Sequence, residues 1–260
     1  LENELNMLQE LYDILFVDEL NFPSLHFTEL DREFDILRIE GGVLTLDQII
    51  NVLTLGLTTL DLIKFTRKQK DTYPLLYEAT EYIENIEYII ESIDSKLEKR
   101  RRIKDSASHN LEKVRQQIVS TRREVNRNFD NALRKYKKDE IISDIEEAFR
   151  DNRRLLCVLS SHKKRVAGRS FGTSAGGSLT YIEPVENKKL NEQLENLHIE
   201  ERSEIQKILA KISHQIRGER QHIKAFQRLI VRFDLLKAKA VFAKDLNAVK
   251  PIYEFSQQME

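Results

Sequence analysis

Tryptophan is absent from this chain of 260 residues, and cysteine occurs once, at Cys157. A single thiol excludes a disulfide framework and a thiolate metal cluster. Cys157 lies in the apolar run Leu155-Leu156-Cys157-Val158-Leu159, a setting for packing rather than reactivity. Proline is confined to Pro23, Pro74, Pro184 and Pro251, and each should mark a helix boundary or a turn. No apolar run approaches the roughly 20 residues of a membrane span, and the acidic, amphipathic start is unlike a signal peptide. The histidines include no H-E-x-x-H pattern, His214 and His222 being eight apart on one helical segment. A G-x-x-x-x-G-K-[ST] phosphate loop is also missing. Gly172 and Gly177 have its glycine spacing, but Ser178-Leu179 follows where Lys and Ser/Thr are required. Glu183 and Glu186 have no nucleophile, general base or third carboxylate nearby. These absences leave no active site to name. The expectation is a non-catalytic, cytoplasmic chain with no membrane partner, no metal and no cofactor of its own.

What the chain does have is charge, in a third of its residues, and long helical periodicity. The net charge of −1 hides an asymmetry. Residues 1–95 hold 6 Lys and Arg against 20 Asp and Glu, residues 96–138 hold 15 against 5, and residues 139–260 hold 21 against 18. A basic middle suits a polyanionic partner, whereas oppositely charged helix faces that help pack the molecule are the alternative. The chain opens on Leu1, inside a helical pattern, and so reads as a fragment of something larger. Thr45-Leu46-Asp47-Gln48 reads as a capping box opening a helix through about Lys70. Apolar residues from Leu75 through Ala79, Tyr82/Ile83, Ile86 and Ile89/Ile90 to Ile93 predict one helical face. Lys99-Arg100-Arg101-Arg102 crowds charge before a new helix, with Asp105 to Ser108 as cap residues and a stripe of Leu111, Val114, Ile118, Val125, Phe129 and Leu133. A further helical piece is expected from Ile141 to about Asn152. After Pro184, Leu190, Leu194, Leu197, Ile205, Ile208, Ile212 and Ile216 mark a returning helix, and a last one runs from Phe226 to about Ala248.

Half of the eight glycines fall within ten residues, at Gly168, Gly172, Gly176 and Gly177. Gly, Ser and Thr supply turn freedom there, and Leu179-Thr180-Tyr181-Ile182 favours strand. A turn that needs glycine and an anion-binding nest of backbone N–H groups both fit this composition. Residues 150–169 carry seven cations against the single acid Asp151. Arg153, Arg154, Lys163, Lys164, Arg165 and Arg169 are the candidates for phosphate contact, with Ser160, Ser161, Ser170, Thr173 and Ser174 as further donors. A solvated hairpin kept soluble by charge is the competing reading.

Four blocks resemble the MutS superfamily, most closely its MutS2 branch. They are Gly41-Gly42-Val43-Leu44-Thr45, and Ile103-Lys104-Asp105-Ser106-Ala107-Ser108 with Leu111, Val114 and Arg115. The third runs from Asn152-Arg153-Arg154 to Tyr181-Ile182-Glu183-Pro184, followed by Leu190-Asn191. The fourth is Asp234 with Ala238-Lys239-Ala240, Ala243 and Lys250-Pro251-Ile252. Where the family has an acidic, serine-rich loop before the glycine, this chain has Gly172-Thr173-Ser174-Ala175-Gly176. The resemblance implies a mainly α fold: a helical core, 1–110 completed by 225–260, with antiparallel lever helices at 111–150 and 185–224. A small β head at 151–184 would cap the lever. It also implies a clamp on branched or duplex DNA, in a family tied to DNA mismatch repair and recombination control. ATP and Mg would be expected only in an ATPase domain beyond this stretch, and a homodimer only in the full-length protein. A ribosome-engaging arm with an rRNA partner stays open beside it, as does a structural dimerisation coiled coil.

Overall fold

The computed structural model describes residues 2–83, 87–98 and 102–251. Ile86 of the expected stripe, Lys99-Arg100-Arg101 and Ile252 therefore lie outside the described residues. The chain is mainly helical with a small antiparallel sheet. It divides into two compact units, one holding the described residues to Lys104 and from Leu209, the other holding Asp105–Ile208.

In the first unit, helices α1 (Glu2–Phe16), α2 (Asp31–Arg38), α3 (Leu46–Lys68), α4 (Pro74–Glu81), α5 (Glu87–Asp94) and α8 (Arg220–Asp245) share an apolar interior. A two-stranded ladder, β1 (Leu97–Glu98) with β2 (Arg102–Ile103), follows α5. The capping box at α3 is present, with Gln48 N–H donating to Thr45 Oγ1 and Thr45 N–H donating to Gln48 Oε1. α3 packs on α4, α5 and α8. Contrary to the expectation of no spanning-length apolar run, α3 is long and apolar enough to cross a membrane. Many of its apolar side chains nevertheless face protein, with Ile49, Leu55 and Leu62 fully buried, while Leu57 is exposed. Gly56 makes the close approach to α5 possible, since a Cβ there would lie 2.2 Å from Ile90 Cδ1. The apolar series after Pro74 is two helices rather than one, and Tyr82, placed on the seam by periodicity, is 86% exposed.

The Gly41-Gly42 turn is fixed from a distance. The Arg217 guanidinium donates to the carbonyls of Leu37, Ile39 and Gly42 at 3.1, 3.1 and 2.6 Å, and Leu44 N–H donates to Ser213 Oγ at 2.9 Å. Leu37 lies in the last turn of α2, and Ile39 and Gly42 lie in the turn beyond it, so one charged donor ties the helix end to the turn.

In the second unit, α6 (His109–Lys138) runs antiparallel to the first part of α7 (Val185–Gly218). Ser108 caps α6 by accepting from Leu111 N–H at 3.1 Å, and its hydroxyl donates to Glu204 at 3.0 Å. Arg115 bridges Asp105 and Glu201. Further along, Val114 and Ile118 pack on Leu197, and Asn187 Nδ2 donates to the Val125 carbonyl at 3.1 Å. Partner numbers rise on one helix as they fall on the other, which defines the antiparallel pair.

Residues expected to continue as helix after Lys138 instead form strand β3 (Ile142–Arg150). α6 ends in a Schellman arrangement: Glu140 sits at φ 55°, its N–H donating to the Lys137 carbonyl, and Ile141 N–H donates to the Tyr136 carbonyl. Ile141 and Tyr136 share a buried cluster, the apolar contact that accompanies this cap. Because the left-handed position holds Glu rather than Gly, composition gave no stop signal. β3 pairs with β4 (Arg153–Leu159), then β6 (Leu179–Pro184), then β5 (Gly168–Thr173), every pair antiparallel. The β3–β4 connection is the two residues Asp151 and Asn152 at φ 49° and 58°, the double positive φ of a type I′ hairpin.

Glu201 lies below the ordinary carboxylate range: burial alone would raise it, but hydrogen bonds from Arg115 and His198 outweigh that. A depressed folded value gives stability that is present above the unfolded carboxylate pKa, about 4.3, and lost as pH falls through the folded one. The melting temperature of the chain is therefore expected to drop on acidification below that range. Glu201→Gln should flatten the drop; an unchanged pH profile in thermal scans by circular dichroism would contradict this.

Candidate nucleic-acid interface

The sheet closes over the C-terminal half of α6. Leu156, Val158, Val166 and Ile182 form one cluster with Phe129, Ala132, Tyr136 and Ile141. Cys157, fully buried on β4, is held as a thiol, burial first and then Glu147 raising its pKa against Arg150. On β6, Glu183 is fully buried immediately before α7 begins. Arg153 donates to Glu183 and to Glu195, and Asn191 Nδ2 donates to Glu183 Oε1 at 2.6 Å. Burial by itself would lower the Arg153 pKa, but the two carboxylates hold it above the ordinary arginine value. The Ile-Glu-Pro block is therefore the joint between sheet and helix.

The six cations proposed from sequence separate into two groups. Arg153, 8% exposed, is engaged by Glu183 and Glu195. Arg154 bridges Asp130 and Glu147 and stacks 4.2 Å from the Phe129 ring centroid. Both guanidiniums hold the head together. Lys163, Lys164 and Arg165 instead stand exposed in the 3-10 turn Ser160–Arg165, and Arg169 is exposed on edge strand β5. The turn is pinned where Ser160 N–H donates to the Ser178 carbonyl at 2.9 Å and Ser160 Oγ donates to the Gly177 carbonyl at 2.7 Å. Val166 is buried against Tyr136, and Ala167 N–H donates to Tyr136 Oη at 3.2 Å. This anchoring turns the preceding Lys-Lys-Arg outward. Arg169 lies 5.2 Å from the Phe171 ring centroid, and Arg150, not among the six, lies 4.0 Å from that of Tyr181. The Arg150 position follows from the I′ hairpin, whose Asp151-Asn152 signal was readable in the sequence.

The glycine turn does not fit a nucleotide. Gly177 N–H donates to the Ser174 carbonyl at 2.9 Å, Ser174 N–H to the Leu179 carbonyl at 2.9 Å, and Leu179 N–H to Ser174 Oγ at 3.1 Å. Those three amides are spent on holding the turn closed. Among the described residues no group of three or more His, Cys, Asp or Glu side chains could hold a metal ion. A groove of about 930 Å³ runs beside the sheet, lined by Arg122, Phe149, Arg154, His198 and Arg202 among others, with Asp151 and Glu195 lending it mixed charge.

The helical pair, the buried Ile-Glu-Pro joint and the exposed basic turn all belong to one unit, Asp105–Ile208. No family model matches the chain. It is similar to the Endonuclease MutS2 of Clostridium beijerinckii, 24% identical over 257 residues, covering 97% of this chain and 32% of that protein. Likewise the Endonuclease MutS2 of Alkaliphilus oremlandii is 27% identical over 192 residues, covering 74% and 24%. That of Streptococcus suis is 34% identical over 149 residues, covering 57% and 19%. The chain is MutS2-like at low identity, and spans about a quarter to a third of the first of these relatives' length.

Truncating Arg153 to Met is expected to destabilise the chain by about 3–5 kcal/mol, because it strands the buried Glu183 carboxylate. Gly168→Ala should also weaken the fold, since a Cβ there would lie 2.1 Å from the Glu183 carbonyl oxygen. Urea unfolding followed by circular dichroism checks both. Charge reversal at Lys163, Lys164 and Arg165 should leave the midpoint unmoved, and a shift like that of Arg153→Met would place them in the fold instead.

Proposed function

We propose that this chain is the nucleic-acid-clamping core and lever module of a MutS2-like ATPase, touching the DNA backbone through its small basic head. The observation that carries the reading is the exposure of Lys163, Lys164 and Arg165 in the turn after β4 and of Arg169 on β5, none of which forms a salt bridge among the described residues. Cations released from internal pairing can exchange with counterions on a phosphate chain, and contacts of this kind position without reading bases. In this reading Arg153 and Arg154 support the head rather than touch DNA. The first unit would couple the lever to an ATPase elsewhere in the polypeptide, where ATP, Mg and a homodimer interface would reside. The named relatives are endonucleases, yet this module is proposed to bind and not to cut.

Charge reversal of Lys163, Lys164 and Arg165 together is expected to weaken binding to branched and duplex DNA at low salt, with a shallower salt dependence. Fluorescence anisotropy across a salt series measures it, and unchanged affinity removes the head from the mechanism. Incubated with Mg and branched DNA, the chain should leave the strands intact on a denaturing gel. Cleavage would overturn the non-catalytic assignment. Co-sedimentation with ribosomes, in the absence of DNA binding, would favour the ribosome-engaging arm instead.

A further inference from the structure

The solvent face of α6 carries a second cationic array that the head does not include. Successive helical residues turn by about 100°, which places Lys113, Arg123, Arg127, Arg134 and Lys138 in one narrow sector. That sector lies opposite the buried seam of Leu111, Val114, Ile118, Val125 and Phe129. All five cations are exposed, and among the described residues none makes a salt bridge or hydrogen bond. Gln116 and Asn131, exposed in the same sector, add neutral amide donors. The acids of α6 lie elsewhere: Asp130 is paired with Arg154, and Glu112 and Glu124 fall at the sector's margins.

The partner helix shows that this is more than a generally charged surface. Along the exposed face of α7 in the same unit, the cations Lys188, Lys189 and Arg202 share the surface with the acids Glu192, Glu195 and Glu200. Opposite signs cancel there, whereas the α6 sector has one sign. A solvated face needs no such segregation.

We infer that this face of α6 is a track for the phosphate backbone of duplex DNA, continuous with the basic turn of the head; the inference rests on the DNA-binding reading above. From Arg123 to Lys138 is roughly 22 Å along the helix axis, a span over which one B-form strand presents about six phosphates. A straight, rigid row of charges matches a stiff duplex better than a flexible single strand. Continuity with the head follows from Tyr136, which lies near the end of α6 and holds Val166 and Ala167. The Lys163-Lys164-Arg165 turn therefore sits beside the end of α6 from which Lys138 projects. The contact is independent of base sequence.

The test uses the whole 260-residue chain. Arg123→Gln, Arg127→Gln and Arg134→Gln together keep good helix formers at exposed sites. Each lost phosphate contact should lower the magnitude of the slope of log K against log salt by about 0.9, so the triple variant should lose about 2 to 3. A melting temperature equal to that of the parent shows the variant is folded. An unchanged slope overturns the inference, as does an effect confined to double-stranded RNA or to an acidic polypeptide. A loss of similar size from Lys188→Gln with Lys189→Gln also overturns it, by showing that charge alone is being read. The Lys163, Lys164 and Arg165 variant is measured in parallel. If it alone alters the slope, the α6 track falls and the head reading stands; if the α6 variant alone does so, the reverse holds.

Discussion

A carboxylate with no access to water, Glu183, is the constraint around which the second unit is arranged. An ionised group in that setting is tolerable only when charged and polar donors surround it. Arg153 arrives from β4 and Asn191 from the second turn of α7, so a single side chain ties strand, neighbouring strand and helix together. Pro184 follows at once and closes the strand. Once this joint is set, the direction in which α7 leaves the sheet is set as well. The register of α7 against α6, from Asn187 at Val125 to Glu204 at Ser108, continues from it.

The same joint explains how the cations divide. A basic segment is costly inside a fold and free outside it, so each guanidinium either finds a carboxylate or remains in solvent. Arg153 and Arg154 alternate along a central strand, where Glu183, Glu147 and Asp130 meet them. Lys163, Lys164 and Arg165 fall in a turn whose backbone is secured by Ser160 and Tyr136, with no acid opposite. Paired and solvent-facing charge thus sit within a dozen residues of each other, distinguished by what the sheet brings alongside. The α6 face extends the second category along a helix whose opposite side is buried and mainly apolar.

The first unit follows a different logic. Its organising contacts are apolar, with α3 packed on α4, α5 and α8, and charged groups tie down the ends of helices: Arg217 on the carbonyls at and after the end of α2, and Glu10 on the first amides of α4. Much of a helix apolar enough to span a membrane here serves a protein core, because Gly56 admits Ile90 and α4 and α8 pack against α3 as well.

Much of this was legible in the residues themselves. Thr45 and Gln48 encode the α3 cap, Ser108 encodes the α6 start, and the stripe from Leu111 to Phe129 encodes the seam, since capping and 3.6-residue periodicity are local. The β character of Leu179 to Ile182 was equally local. Strand β3 was not, because Glu140 ends α6 in a conformation that composition assigns to glycine, and because acidic residues 144–147 favour helix until β4 offers its backbone as partner. Sequence alone determined that the chain would be helical, with a basic, glycine-turned insertion between two long helices. Only the tertiary structure decided which arginines were free to meet a partner, because a guanidinium is committed by whichever carboxylate packs beside it, and that neighbour comes from a distant part of the chain.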